Sequence, residues 1–205
     1  MEIIITDKSH TVHAHTICKA IEAAAQVRGT GIAKRSPEYI ISKMENGNAV
    51  IALEGSSFAG FCYIETWSHD KFVANSGLIV VPEFRNQGLA KKIKRAVFEH
   101  SRTKYPTAKI FSITTGLAVM KLNSALGYKP VTFSELTDES TFWKGCQTCK
   151  NYDVLQRTAQ SMCLCTGMLF DPKSDSVNKN EKVKEKTFLR LKSIKQSLFL
   201  KKTKK

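Results

Sequence analysis

No apolar run in the chain approaches the roughly 20 residues that a membrane-spanning helix needs; runs such as Gly77–Val81 and Ala49–Leu53 are strand-sized. Met1-Glu2-Ile3-Ile4-Ile5 lacks the basic, then apolar, then small-residue order of a secretory signal. These absences predict a cytoplasmic protein with no membrane span. No internal repeat is present. Acidic residues are scarce, 18 Asp and Glu against 32 Lys and Arg, a net charge of +14. What is there, 205 residues with 42% hydrophobic, is enough for a core and excludes wholesale disorder. The length allows one ordinary domain with an appendage, or two small domains.

The charge is unevenly placed. Residues 173–205 hold 12 Lys and Arg against 3 Asp and Glu, leaving 20 and 15 in the first 172. The basicity is thus mainly a tail property, and the chain divides into a domain over 1–172 and a basic extension over 173–205.

Along the domain, Glu2–Thr6 reads as a short β-branched strand, and a helical period runs from Val12 to about Val27. Ser36, Pro37 and Glu38 are N-cap, first-position and first-turn residues of a second helix ending near Asn46-Gly47. Ala49–Leu53, Phe58–Thr66 and Phe72–Val81 read as three antiparallel strands separated by polar turns. Leu89, Ile93, Ala96 and Val97 mark an amphipathic helix closed by Pro106. Ile110–Thr114 is a buried-type strand, Leu117–Leu126 a helix ended by Gly127, and Tyr128–Phe133 a further strand. The order predicts an α+β fold, helices laid on a mixed, mostly antiparallel sheet.

The most informative stretch is Leu78 to Ala90, where an apolar strand passes through a glycine-bearing turn directly into a helix. Such a turn presents unpaired N–H groups at a helix start, and Gly88 lets a ligand approach the backbone. The residues Val81-Pro82-Glu83-Phe84-Arg85-Asn86-Gln87-Gly88-Leu89-Ala90 resemble the coenzyme A signature of the GNAT superfamily of N-acetyltransferases, with Arg85, Gly88 and Ala90 at the signature positions. The element order and Gly127-Tyr128 resemble that family as well. The resemblance implies a GNAT-like mixed sheet and an acetyl-CoA or other acyl-CoA co-substrate. It places the pyrophosphate on backbone amides of Asn86, Gln87, Gly88, Leu89 and Ala90, beside Arg85, and the pantetheine along Leu78 to Val81. It implies thioester polarisation by an N–H near Ile79 or Val80, then direct transfer to an amine.

Lys34-Arg35-Ser36-Pro37-Glu38 and Phe111-Ser112-Ile113-Thr114-Thr115 resemble segments of short bacterial N-acetylglutamate synthases. That implies Lys34, Arg35 and Ser36 as acceptor contacts, and a small amino acid, glutamate or ornithine, as acceptor of an acetyl or succinyl group. A protein lysine or a polyamine is the alternative acceptor, and a non-catalytic binding module is a third reading. The family's usual tyrosine acid is replaced by Asn123, which leaves Tyr128 and Tyr63 as acid candidates. Asn75 and Ser76 stand where a basic Glu is usual, leaving Glu65, His69 or a water as base.

Four of six cysteines form two close pairs, Cys146/Cys149 and Cys163/Cys165, within a Cys-rich segment over 143–167. A structural zinc, a redox or Fe–S pair, and plain buried thiols all fit that spacing. Asn151–Leu155 reads as a closing strand. In the tail, Phe188, Leu191, Ile194 and Leu198 recur at helical spacing among lysines, a basic amphipathic helix. Nucleic acid, an anionic surface or the protein's own body are its candidate partners, although no aromatic interleaving marks base stacking. A homodimer is also an expectation.

Overall fold

A computed structural model describes residues 1–28 and 33–174. The chain divides into two compact units, 1–170 and 171–205. The predicted tail helix lies outside the described residues.

The first unit runs β1 (Glu2–Ile5), α1 (Ala14–Arg28), α2 (Pro37–Glu45), β2 (Ala49–Glu54), β3 (Ser57–Trp67), β4 (Phe72–Val80), α3 (Leu89–Lys104), β5 (Lys109–Thr114), α4 (Leu117–Ala125), β6 (Lys129–Val131), α5 (Ser140–Lys144), α6 (Tyr152–Arg157) and β7 (Thr166–Phe170). The seven strands form one sheet in the order β1-β2-β3-β4-β5-β7-β6. All pairings are antiparallel except β4 with β5. This is the α+β mixed sheet that the element order implies. Among the described residues no helix is long and apolar enough to cross a membrane.

Strand alternation sends side chains to two layers. Val50, Ala52, Cys62, Ile64, Val73 and Ile110 meet Leu89, Ile93 and Val97 of α3. Ala49, Ile51, Phe61 and Ile79 meet α1 and α2 through Ile17, Ile21, Ile40 and Met44. Beyond β4, that second face is covered by Phe133, Leu136, Phe142, Trp143 and Leu155, packed on Ala74, Phe111 and Leu169.

Two sequence expectations are corrected here. Asn151–Leu155 is not the closing strand: Tyr152–Arg157 is helical, and β7 takes that role by inserting between β5 and β6. The strand expected over Tyr128–Phe133 shrinks to Lys129–Val131, because Phe133 turns into a short 3-10 helix.

Candidate functional site

β4 and β5 pair only at Phe72/Lys109, Val73/Ile110 and Ala74/Phe111. Beyond that point the strands part, and Asn75–Leu78 faces Ser112–Thr114 across an open fork. The partner β3 helps to bend β4. Phe61 pairs with Ile79 and Tyr63 with Ser76, so Gly77 and Leu78 form a β-bulge opposite Cys62. Gly77 sits at φ +67°, and a Cβ there would collide with the Tyr63 ring. Only glycine permits that bulge.

The Val81 N–H donates to the Ala59 carbonyl on β3. Antiparallel pairing alternates, so Ile79 directs its N–H to β3 and Val80 directs its N–H into the fork. Of the two oxyanion candidates, only Val80 has the needed orientation. Its carbonyl, on the same edge, accepts from Arg85 Nε at 2.9 Å, which ties the turn to the strand.

After Val81, residues 82–84 make one 3-10 turn, and Asn86 (φ +61°) and Gly88 (φ +75°) reverse the chain into α3. Gly88 is the N-cap, and a Cβ on it would meet nothing within 4 Å. The first N–H groups of α3 have no helical acceptor and point into that open space with the positive end of the helix dipole. Anions bind such a terminus. The residues Asn86 to Ala90 therefore fit a pyrophosphate.

The fork opens into a cavity of about 560 Å³. Its wall away from α3 is built of side chains. Arg35 donates from Nε to the Tyr63 hydroxyl at 2.8 Å and from Nη1 to the carbonyls of Lys34 (2.9 Å) and Gly145 (3.5 Å), and its guanidinium lies 5.4 Å from the Tyr39 ring centroid. Tyr39 hydrogen-bonds Glu65, and burial, then Tyr63 and Glu65, raises its phenol well above the usual value, so it remains a neutral donor. Glu65 is paired with Lys43 at 2.9 Å and is mostly buried. Among the lining residues Glu65 is the single carboxylate, set against Lys34, Arg35, Lys94 and Lys144.

The other acceptor candidates have different tasks. Ser36 caps α2, accepting from the Tyr39 N–H at 3.3 Å. Lys34 lies at the rim, with Nζ on Glu22 at 3.0 Å, while its N–H donates to Thr148 Oγ1. His69 occupies a left-handed turn in a separate depression with Asp138 and Glu139. Tyr128, the expected acid, is buried outside the cavity lining, and its hydroxyl donates to Asn75 Oδ1 at 2.9 Å. Asn123, at the usual acid position, donates to Ser112 Oγ at 2.7 Å and keeps a buried Oδ1 without a partner.

The Cys-rich segment closes the cavity: Cys146, Cys149, Cys163 and Cys165 line it together with Phe142, Trp143 and Tyr152. All four are free thiols. Among the described residues no group of three or more His, Cys, Asp or Glu is arranged to hold a metal ion, so the zinc expectation gains no support from this geometry. Burial, then the neighbouring sulfurs, raises Cys146 to about 11 and Cys165 to about 12, so both free thiols are protonated at neutral pH. Cys163 Sγ donates instead to the Asn151 carbonyl, and Cys149 Sγ accepts from the Asn151 N–H.

One lining group escaped the sequence reading. Lys94 sits on the inward stripe of α3, fully buried, and burial lowers its ammonium to about 8. The signal was a lysine at a position where the helical period calls for an apolar residue.

Comparison with known proteins supplies the remaining findings. Residues 19–121 match the model of the Acetyltransferase (GNAT) family. No curated protein matches the chain in sequence. Among solved structures, N-acetylglutamate synthase from Neisseria gonorrhoeae, complexed with coenzyme A and N-acetyl-glutamate, is similar at TM-score 0.61 and 15% identity over 83% of this chain. The match covers 34% of that synthase, so the chain spans about a third of its length. A Mycobacterium tuberculosis protein in complex with CoA and NLQ is similar at TM-score 0.59 and 11% identity, covering 83% of this chain and 99% of that one. The yncA protein of Salmonella typhimurium, with its cofactor acetyl-CoA, is similar at TM-score 0.57 and 14% identity, covering 84% and 94%.

Proposed function

Since the chain belongs to the GNAT acetyltransferase family of acyl-CoA-dependent N-acyltransferases, we propose that it transfers an acyl group to the amine of a small amino acid carrying a free carboxylate, with glutamate or ornithine as the first candidates. The observation that carries this reading is Arg35. Its guanidinium reaches the cavity from a loop, is anchored by Tyr63 and Gly145, and has no carboxylate partner among the described residues. A planar fork of donors in a partly desolvated wall is suited to a carboxylate. The excess of cations around the cavity favours the same class of acceptor.

The residues supply a direct transfer. N–H groups of Asn86 to Ala90 hold the pyrophosphate, and the free edge of β4 takes the pantetheine arm. An N–H on the free edge of β4 stabilises the oxyanion that forms when the amine attacks the thioester. Glu65, paired with Lys43 at 2.9 Å, accepts the proton of the attacking amine. Arg35 fixes the acceptor and so reduces the entropy lost in reaching the transition state. All these residues lie within 1–172, which we assign as the catalytic domain, with the Cys-rich segment as its acceptor-side wall.

The experiment is a thiol-release screen of purified protein with acetyl-CoA and succinyl-CoA against L-glutamate, L-ornithine, the neutral amino acids, spermidine and a lysine peptide. Turnover is expected with a carboxylate-bearing amino acid and is lost when that carboxylate is amidated. Turnover with spermidine or the peptide alone overturns the acceptor assignment.

A further inference from the structure

At the closed end of the fork a charged group stands unused by the acceptor chemistry. Lys94 shares the inward stripe of α3 with Leu89, Ile93, Val97 and Ser101 and is 2% exposed. Its Nζ donates to Asn75 Oδ1 at 3.4 Å and lies 5.1 Å from the Tyr128 ring centroid. Asn75 is itself fixed, accepting from the Tyr128 hydroxyl at 2.9 Å and donating from Nδ2 to Ser101 Oγ at 2.9 Å. Among the described residues no carboxylate pairs with Lys94. An ammonium carries three N–H donors. One goes to Asn75, and Lys94 borders the cavity beside Asn75, Ser76 and Ser112. Burial of an uncompensated cation is strongly unfavourable, so the position calls for an anion that arrives with the substrate.

We propose that Lys94 is the acid of the transfer: its ammonium faces the acyl-CoA sulfur where β4 and β5 part and protonates the thiolate as it leaves. The proposal rests on the acyltransferase reading above. A pantetheine arm laid on the free edge of β4, running from Val81 toward Gly77, carries the thioester to the bulge at Gly77-Leu78. The fork closes three residues further on, at Ala74/Phe111, and Lys94 reaches its floor through Asn75. The amine nitrogen attacks the carbonyl carbon, the N–C bond forms and the C–S bond breaks with its electron pair on sulfur. Lys94 delivers one proton to that sulfur, the amine loses one to Glu65, and exchange with solvent restores both groups.

Other candidate acids are engaged elsewhere. The Tyr128 hydroxyl is donated to Asn75 and the buried Cys62 thiol donates to the Ser76 carbonyl, while the Tyr63 hydroxyl stands on the acceptor wall against Arg35. The titratable groups facing Lys94 are Cys62 from β3 and Tyr128 from the turn after α4; Asn75 of β4, Ser112 of β5 and Ser101 of α3 do not titrate. With its ammonium lowered to about 8, Lys94 is charged at neutral pH and releases a proton readily.

The test uses the full chain and needs no acceptor. Wild type, Lys94→Met and Lys94→Arg are titrated with CoA and with desulfo-CoA, which lacks the sulfur, and the thiolate absorbance of bound CoA is followed against pH. For wild type we expect about tenfold tighter binding of CoA than of desulfo-CoA, one charge-assisted contact, and a bound thiol titrating about one pH unit below free CoA. Lys94→Met loses both effects but keeps its desulfo-CoA affinity, and Lys94→Arg keeps the preference for sulfur. Equal weakening of both ligands in Lys94→Met, or a bound thiol that titrates in wild type as it does in solution, overturns the role of Lys94. Failure of wild type to bind either ligand overturns the acyltransferase reading itself and is distinguishable from loss of the sulfur effect alone.

Discussion

Along β4 and the first turn of α3 the site is made of main chain: the bulge at Gly77-Leu78, the Val80 N–H and the amides around Gly88. The opposite wall is made of side chains, with Arg35, Tyr39, Tyr63 and Glu65 knitted together by hydrogen bonds and then covered by the Cys-rich segment. Main-chain donors tolerate most substitutions that preserve the local φ/ψ, so the proposed coenzyme side depends on a few glycines. The acceptor side depends on the identity of each residue. A chain can therefore keep one half of the reaction fixed while the other changes its substrate.

The largest expected effect lies where the two walls meet. Because burial lowers Lys94 from 10.5 to about 8, the unfolded chain binds its proton more tightly than the native protein does. The native state carries the full penalty below pH 8, and the penalty fades as pH rises toward 10.5. Lys94→Met should then raise stability by about 3 kcal/mol at pH 7, the equivalent of that shift, with the gain shrinking toward pH 10. Thermal melts at both pH values measure it, and a Lys94→Met protein less stable than wild type at pH 7 contradicts the uncompensated burial.

Next in size is Gly88→Val, which forces a β-branched residue to φ +75° and fills the open space over the α3 amides. It should weaken CoA about 100-fold or more, by strain and by blocked backbone approach together. Calorimetry reads the loss, and unchanged affinity removes the main-chain cradle from the comparison. Arg35→Met breaks the other wall alone. The KM for a carboxylate acceptor should rise about 10- to 100-fold, as for loss of a charge-assisted hydrogen bond, with CoA affinity unchanged. A parallel loss of CoA binding means that the walls are not separable.

Tyr63→Phe removes only the hydroxyl that anchors Arg35 Nε, without touching the acceptor, so a rise of about five-fold in that KM is expected, the scale of one ordinary hydrogen bond. Smallest of all is Cys146→Ser together with chelator treatment. Neither should shift the melting temperature by more than about 4 °C, the scale of 1 kcal/mol for a domain of this size. A large chelator effect restores a metal to the segment.

The same contrast explains what was legible in the sequence. Main-chain devices advertise themselves through glycine, proline and caps: Ser36-Pro37 marked the start of α2, and Arg85 to Ala90 marked the turn into α3. Strands β2 to β4 followed from apolar runs between polar turns. The proposed acceptor wall is assembled from residues far apart in sequence, and nothing local tells that Ser36 caps α2 while Arg35 turns inward. Lys34, beside it, is drawn to Glu22. The Cys-rich segment misled for two reasons. Asn151–Leu155 carries a strand-like Tyr and Val yet folds as α6, and β7 hides behind Gly167 and Met168, residues of weak strand propensity. Lys94 was hidden because a lysine in a basic helix reads as solvated surface until packing shows which side it faces.

The short pairing of β4 with β5 carries one more consequence. Three rungs join the two halves of the sheet at its centre, and past Ala74 and Phe111 the amide edge of β4 pairs with no strand among the described residues. A pantetheine arm with amide groups of its own is, in that position, a surrogate strand. On the proposed binding mode, ligand-free protein is a sheet with a seam, whose Leu78 and Val80 amides are expected to exchange hydrogen with solvent faster than in the coenzyme complex.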